Sequence, residues 1–176
     1  AVAGMMVNAL YNIVDRIYIG NIKETGNLAI AGVGVVFPLM IISFAFAIMT
    51  GLGAATNISI NLGQKNKEKA EKYLGTATSF GFIVGIILTI LTLASLKKIV
   101  YFLGASVQSG IYAIEYMKVI ALAFPITIVG YITNAAIRSD GKPKFSMFTL
   151  LIGAIINIVL DPIFIFGLNM GVRGAA

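Results

Sequence analysis

Five apolar stretches, each long enough to cross a lipid bilayer, dominate the sequence and leave few folds open to it. A hydrocarbon core of about 30 Å needs roughly 20 apolar residues in helical form. The stretches run over about 1–20, 28–60, 73–96, 117–137 and 145–168. None alternates polar and apolar side chains as a barrel strand does. The expected fold is therefore an all-α polytopic membrane protein. Composition agrees. Of 176 residues, 59% are hydrophobic and 11% charged, and the mean hydropathy is +0.95. A soluble domain carries about 25% charged residues to clothe its surface. The chain has no Cys and no His, so it holds no disulfide framework and lacks the usual ligands of zinc, copper and haem. It shows no nucleophile–base pair, phosphate loop or dinucleotide glycine motif. Neither an enzyme nor a cofactor is expected. A net charge of +6 would point to nucleic acid in a soluble chain. Here it reflects Lys and Arg held in cytosolic loops, and no nucleic-acid partner is expected.

The connections set the topology. Gln64 to Lys72 reads QKNKEKAEK and Arg138 to Lys144 reads RSDGKPK; together they carry seven basic residues. The opposite side has four, namely Lys23, Lys97, Lys98 and Arg173. The bias places the first two loops and the N-terminus in the cytosol of a multi-pass protein of the cell membrane, with the first, third and fifth helices running outward. The Lys65 to Lys72 run has the pattern of a short amphipathic helix, with Glu68 and Lys72 at i, i+4. It suits either anionic headgroups or plain solvent. The second stretch, with Pro38, Gly51 and Gly53, is too long for one crossing. Its glycines and proline serve either close packing or a hinge. The chain opens on AVAGMMVNAL without a basic leader and closes on NMGVRGAA as a new apolar run starts. It is expected to lack the beginning of its first helix and everything after its fifth.

Most charges fall in loops or near helix ends, but two carboxylates do not. Asp15 lies in YNIVDRIYIG of the first stretch and Asp161 in NIVLDPIFIFG of the fifth. With both helices running outward, both belong to the outer half of the bilayer. Asn157 lies four residues before Asp161 and shares its helix face. A charge at mid-membrane costs on the order of 2.5 to 3.5 kcal/mol on insertion scales, so such a group faces a cavity or a partner. It can take up a proton, or join amide and carbonyl oxygens around Na⁺. The plainer roles are an ion pair stapling helices at Asp15, and, at Asp161, satisfaction of backbone groups that Pro162 frees. Glu115 and Lys118, at i, i+3, are expected to form an interfacial salt bridge rather than a relay. Met40, Phe44, Phe46 and Met49 of the second stretch, with Tyr11 of the first, are candidates to line a greasy substrate cavity.

YNIVDRIYIG, NLGQKNKEKAEKYLG, NAAIRSDGKPK and NIVLDPIFIFG, in this order and spacing, together resemble the multidrug and toxic compound extrusion (MATE) transporters over essentially the whole chain. The resemblance implies a protein of twelve transmembrane helices in two six-helix lobes. On that basis residues 1–176 are an incomplete N-terminal transmembrane lobe with five of its six helices, truncated at both ends, and a C-terminal lobe is its missing partner. It implies export of organic cations and other amphipathic drug-like molecules across the plasma membrane, in exchange for inward H⁺ or Na⁺. Asp15 matches the family's cation-coupling aspartate and Asn157 its polar helix-five position. The family's helix-one proline, tied to a bending switch, has no counterpart in residues 1–20. Three other functions remain open at this level. A lipid-linked oligosaccharide flippase wants a cationic cavity, whereas the intramembrane charges here lean acidic. A scaffold subunit would move no substrate. A channel would need a filter or a charged ring, and neither is evident.

Overall fold

The computed structural model describes residues 13–22 and 25–176. The described residues fold into α1 (13–20), α2 (Gly26–Gly63), α3 (Lys67–Phe102), α4 (Val107–Ser139), α5 (Pro143–Pro162), a π-helical turn (Ile163–Gly167) and α6 (Val172–Ala175). Helices α2, α3, α4 and the run from Pro143 to Gly167 are each long and apolar enough to cross a membrane.

These helices run past the stretches marked by hydropathy. At 1.5 Å per residue, the 38 residues of α2 extend roughly 57 Å, well beyond the hydrocarbon. Hydropathy sees only the part in oil, while the ladder of α3 begins before it through the good helix formers Lys67 to Lys72. The Lys65 to Lys72 run shows this directly. It is no separate amphipathic helix: Asn66 caps the first turn of α3, its Oδ1 accepting from Lys69 N–H at 3.1 Å, and the helix proceeds unbroken to Phe102. Helix α2 is likewise continuous through Pro38.

Local chemistry sets the ends. Helices α2, α3 and α4 each finish in a left-handed residue, Lys65, Gly104 and Gly141, with the following N–H bonded back to Asn61, Val100 and Ile137 respectively. This closes the orphan carbonyls. Ser106 opens α4, its Oγ accepting from Ser109 N–H at 3.0 Å while Ser109 Oγ accepts from Ser106 N–H at 3.1 Å. Pro143 begins α5, where a missing N–H costs nothing. The π turn follows Pro162, and Leu168 N–H reaches Ile163 O at 2.9 Å.

Two compact units emerge, one comprising the described residues up to Pro38 with Leu93–Ile120 and Met147–Ala176, the other Leu39–Thr92 and Ala121–Ser146. The first buries Ile19, Val36, Val100 and Met117, and Gly32 there lies against the α4 backbone at Ser109 and Ala113. The second packs Ala47, Ile128 and Ile132 with Leu74, Ala77 and Leu88. Outward-facing side chains such as Ile87, Ile90 and Leu91 of α3 stay exposed, as lipid contact requires.

Within the second unit, α3 and α4 cross at Gly85 and Pro125. Pro125 has no N–H, which leaves the Ala121 carbonyl without its helical donor. Thr89 Oγ1 lies 2.6 Å from that carbonyl and 2.9 Å from its own Gly85 carbonyl, sharing one proton between them. Thr89→Val keeps the shape and removes the donor. It should lower stability by about 1 kcal/mol, read as a lower thermal midpoint in detergent, while Thr89→Ser stays near wild type. An unchanged midpoint for Thr89→Val would mean that the freed carbonyl finds another partner. Between α4 and α5, Asn134 Nδ2 donates to Ser146 O at 3.1 Å and Ser146 Oγ to Asn134 Oδ1 at 2.8 Å, a reciprocal clasp.

Candidate functional site

Asp15, Asn157 and Asp161 all lie in the first unit. Each has a buried side-chain oxygen without a hydrogen-bond partner: Asp15 Oδ1, Asn157 Oδ1 and Asp161 Oδ2. Such oxygens are rare because an unmet buried acceptor costs roughly 1–3 kcal/mol. Finding three on the residues that also stand out by charge or amide in an apolar sequence is the feature that defines the site. Asp161 is 3% exposed and Asp15 half-buried.

Helices α1 and α5 place these groups near one another. Asp15 is within electrostatic range of Asp161. One turn beyond Asp15, Tyr18 meets Phe166 of the π turn edge to face, with ring centroids 6.4 Å apart. A π turn widens the helix at one point, a distortion common beside functional residues; here it begins directly after Asp161–Pro162. The Oδ2 of Asp161 has no backbone partner in spite of Pro162.

The neighbouring Arg16 is within electrostatic range of Asp15 but forms no ion pair with it. The Arg16 guanidinium lies over the Phe37 ring, 5.4 Å from its centroid, a cation–π contact. Among the described residues, the ion pairs are Lys142–Asp140 and Arg173–Glu115, and neither membrane carboxylate has one. This corrects the expected Glu115–Lys118 bridge. Glu115 Oε1 accepts from Arg173 at 2.9 Å, because α6 brings a guanidinium from 58 residues away, a proximity that no local spacing reveals. Also among the described residues, no group of three or more His, Cys, Asp and Glu gathers as a metal centre.

Four of the cavity candidates, Met40, Phe44, Phe46 and Met49, lie in the second unit. Phe44 meets Tyr131 edge to face at 4.7 Å, and the Met40 carbonyl accepts from Ser43 Oγ at 3.1 Å. Tyr11 falls outside the described residues. Sequence reading passed over Thr50, whose Oγ1 is buried without a partner in α2. Its only signal is a hydroxyl in the apolar AIMTGLG.

Helices long and apolar enough to cross a membrane, with costly polar groups among them, define a polytopic membrane protein. The chain belongs to the MatE family, which it matches over residues 1–163. It is 31% identical over 173 residues to the multidrug export protein MepA of Staphylococcus haemolyticus. It is 32% identical over 174 residues to MepA of Staphylococcus aureus strain MSSA476. Both alignments cover 98% of this chain and 38% of the relative, so the chain spans well under half the length of those proteins. A solved structure, described as the outward-facing conformation of a multidrug resistance MATE family transporter of the MOP superfamily, superposes with a TM-score of 0.90. The identity there is 31%, with the same coverage of both chains. These relatives are transporters, not enzymes.

Proposed function

We propose that this chain is the N-terminal lobe of a secondary active exporter. It carries organic cations and other amphipathic drugs outward in exchange for H⁺ or Na⁺, which binds at Asp15, Asn157 and Asp161. The observation that carries the proposal is the trio of buried, unpartnered oxygens on α1 and α5. An acceptor that the fold leaves unmet is ready for a proton or a hard cation, and both ions favour oxygen. Family membership supports the transport class.

Uptake of a cation would neutralise charge in oil and so favour one conformation over another. A bias of that kind is what couples two fluxes. Met40, Phe44 and Tyr11 are assigned to the drug cavity by their apolar, polarisable surfaces. The basic runs at 64–72 and 138–144 support a cytosolic N-terminus. A C-terminal lobe would complete the alternating-access machine.

The test is dye transport by the intact protein in proteoliposomes under an imposed pH or Na⁺ gradient. Accumulation against the dye's own gradient is expected. If a pH gradient alone drives it in Na⁺-free medium, the ion is H⁺; if efflux collapses without Na⁺, the ion is Na⁺. Passive equilibration, or no flux under either gradient, would overturn the exporter reading in favour of a channel or a scaffold.

A further inference from the structure

Seven basic residues, Lys65, Lys67, Lys69, Lys72, Arg138, Lys142 and Lys144, belong to two segments of the second unit. Ala70, between Lys69 and Glu71, packs with Ala54, Ile58 and Ala136, and Ala136 precedes Arg138 by two positions. That contact sets the 65–72 segment beside the 138–144 segment. A hydrogen bond from Lys142 and its charge hold the Asp140 carboxyl below the usual range, with Lys67 adding to the effect. Lys67 is thus within electrostatic reach of the other loop. The lysines of 65–72, with Arg138, Lys142 and Lys144, are all exposed. The Asp140–Lys142 pair stands in water, so Asp140→Asn should barely move the thermal midpoint. Any small stabilisation it adds is present at neutral pH and lost as pH falls through the lowered value.

At the start of α3 a cavity of about 550 Å³ is lined by Asn66, Glu68, Lys69, Lys72, Tyr73 and Thr76. Neither Lys69 nor Lys72 belongs to the ion pairs found among the described residues. Below the cavity, Tyr73, Phe80, Ile83, Ile87 and Ile90 follow one another at helical spacing along one face of α3, each exposed, from 37% at Tyr73 to 61% at Ile90. This open depression, with two lysines against the one carboxylate of Glu68, gives onto an apolar track, with a tyrosine at the boundary where aromatic side chains sit at headgroup depth.

We propose that this cavity binds the phosphate headgroup of an anionic phospholipid whose acyl chains lie along the Phe80–Ile90 face of α3. Lys69 and Lys72 face the phosphate as paired cations, and Tyr73 marks the level of the glycerol. The track argues for a lipid over a free phosphate, which would leave Phe80, Ile83 and Ile87 without a role. The proposal rests on the bilayer placement of α3 and not on the coupling ion or the drug.

The experiment measures retention of spin-labelled phosphatidylglycerol and phosphatidylcholine by the intact protein in detergent. Wild type should hold phosphatidylglycerol in preference to phosphatidylcholine. Lys69→Gln with Lys72→Gln should cut that preference roughly tenfold or more, since each cation at the surface favours anionic lipid. Lys69→Arg with Lys72→Arg should keep it, as should Lys97→Gln with Lys98→Gln at the far end of α3. Millimolar glycerol 3-phosphate should leave the bound lipid in place. Equal retention of both lipids by wild type, an unchanged preference in the Gln variant, or displacement by glycerol 3-phosphate would each overturn the proposal. A protein that retains the lipid yet fails to transport would count against the exporter reading alone.

Discussion

Asp15→Asn in the intact protein is expected to insert at the wild-type level and yet to accumulate no dye under an imposed cation gradient. Asparagine keeps the size of the side chain and most of its hydrogen bonding, so the packing around Tyr18 and Phe166 is untouched. What it loses is the ability to change charge. A carboxylate in hydrocarbon carries a free-energy difference on the order of 2.5 to 3.5 kcal/mol, enough to shift a two-state equilibrium roughly a hundredfold. Without it, cation binding has nothing to bias. Asp161→Asn and Asn157→Ala should weaken coupling less, since each leaves the Asp15 carboxylate in place. Full efflux by Asp15→Asn, measured beside a membrane-fraction control, would remove Asp15 from the coupling role.

The second large effect concerns packing. A Cβ added at Gly85 would lie 2.4 Å from Pro125 Cα and 2.8 Å from its nitrogen. Both are backbone atoms, so neither can swing aside, and α3 and α4 must part. Gly85→Ala should therefore destabilise by about 1–3 kcal/mol and disturb the Thr89 hydrogen bond one turn away. Gly32→Ala, whose Cβ would meet Ser109 O at 2.7 Å and Ala113 N at 2.8 Å, should behave alike. Gly34, Gly53 and Gly75 have open space around an added Cβ, and Ala there should be neutral or slightly stabilising, because Gly weakens a helix interior. Thermal midpoints of the purified variants would check this. Equal midpoints for Gly85→Ala and Gly75→Ala would contradict the close crossing.

Hydropathy made the helical membrane fold legible, because an apolar run in a bilayer has only helix or closed barrel open to it. The ends were less legible. Lys65 to Lys72 reads as a short amphipathic helix of its own, yet Asn66 caps residues from Lys67 onward into α3, since a ladder once nucleated continues through lysine and glutamate. Asp15, Asn157 and Asp161 stood out because charge and amide are costly in oil, so their mere presence asks for a reason. What fills their surroundings was not legible. The Tyr18–Phe166 contact, the Arg16–Phe37 stack and the Arg173–Glu115 pair each join residues that only the tertiary fold brings together. The Thr89–Ala121 bond had half a signal, in that Pro125 announces a freed carbonyl without naming its donor.

The coupling role of the α1–α5 acceptors is tested most directly by following the cation itself. Drug is added to the purified intact protein in weakly buffered detergent, and released H⁺ or Na⁺ is read by electrode. Wild type should release the cation on drug binding, and Asp15→Asn should bind drug and release none. Equal release from both proteins, or none from wild type, would show that drug and cation do not meet through Asp15.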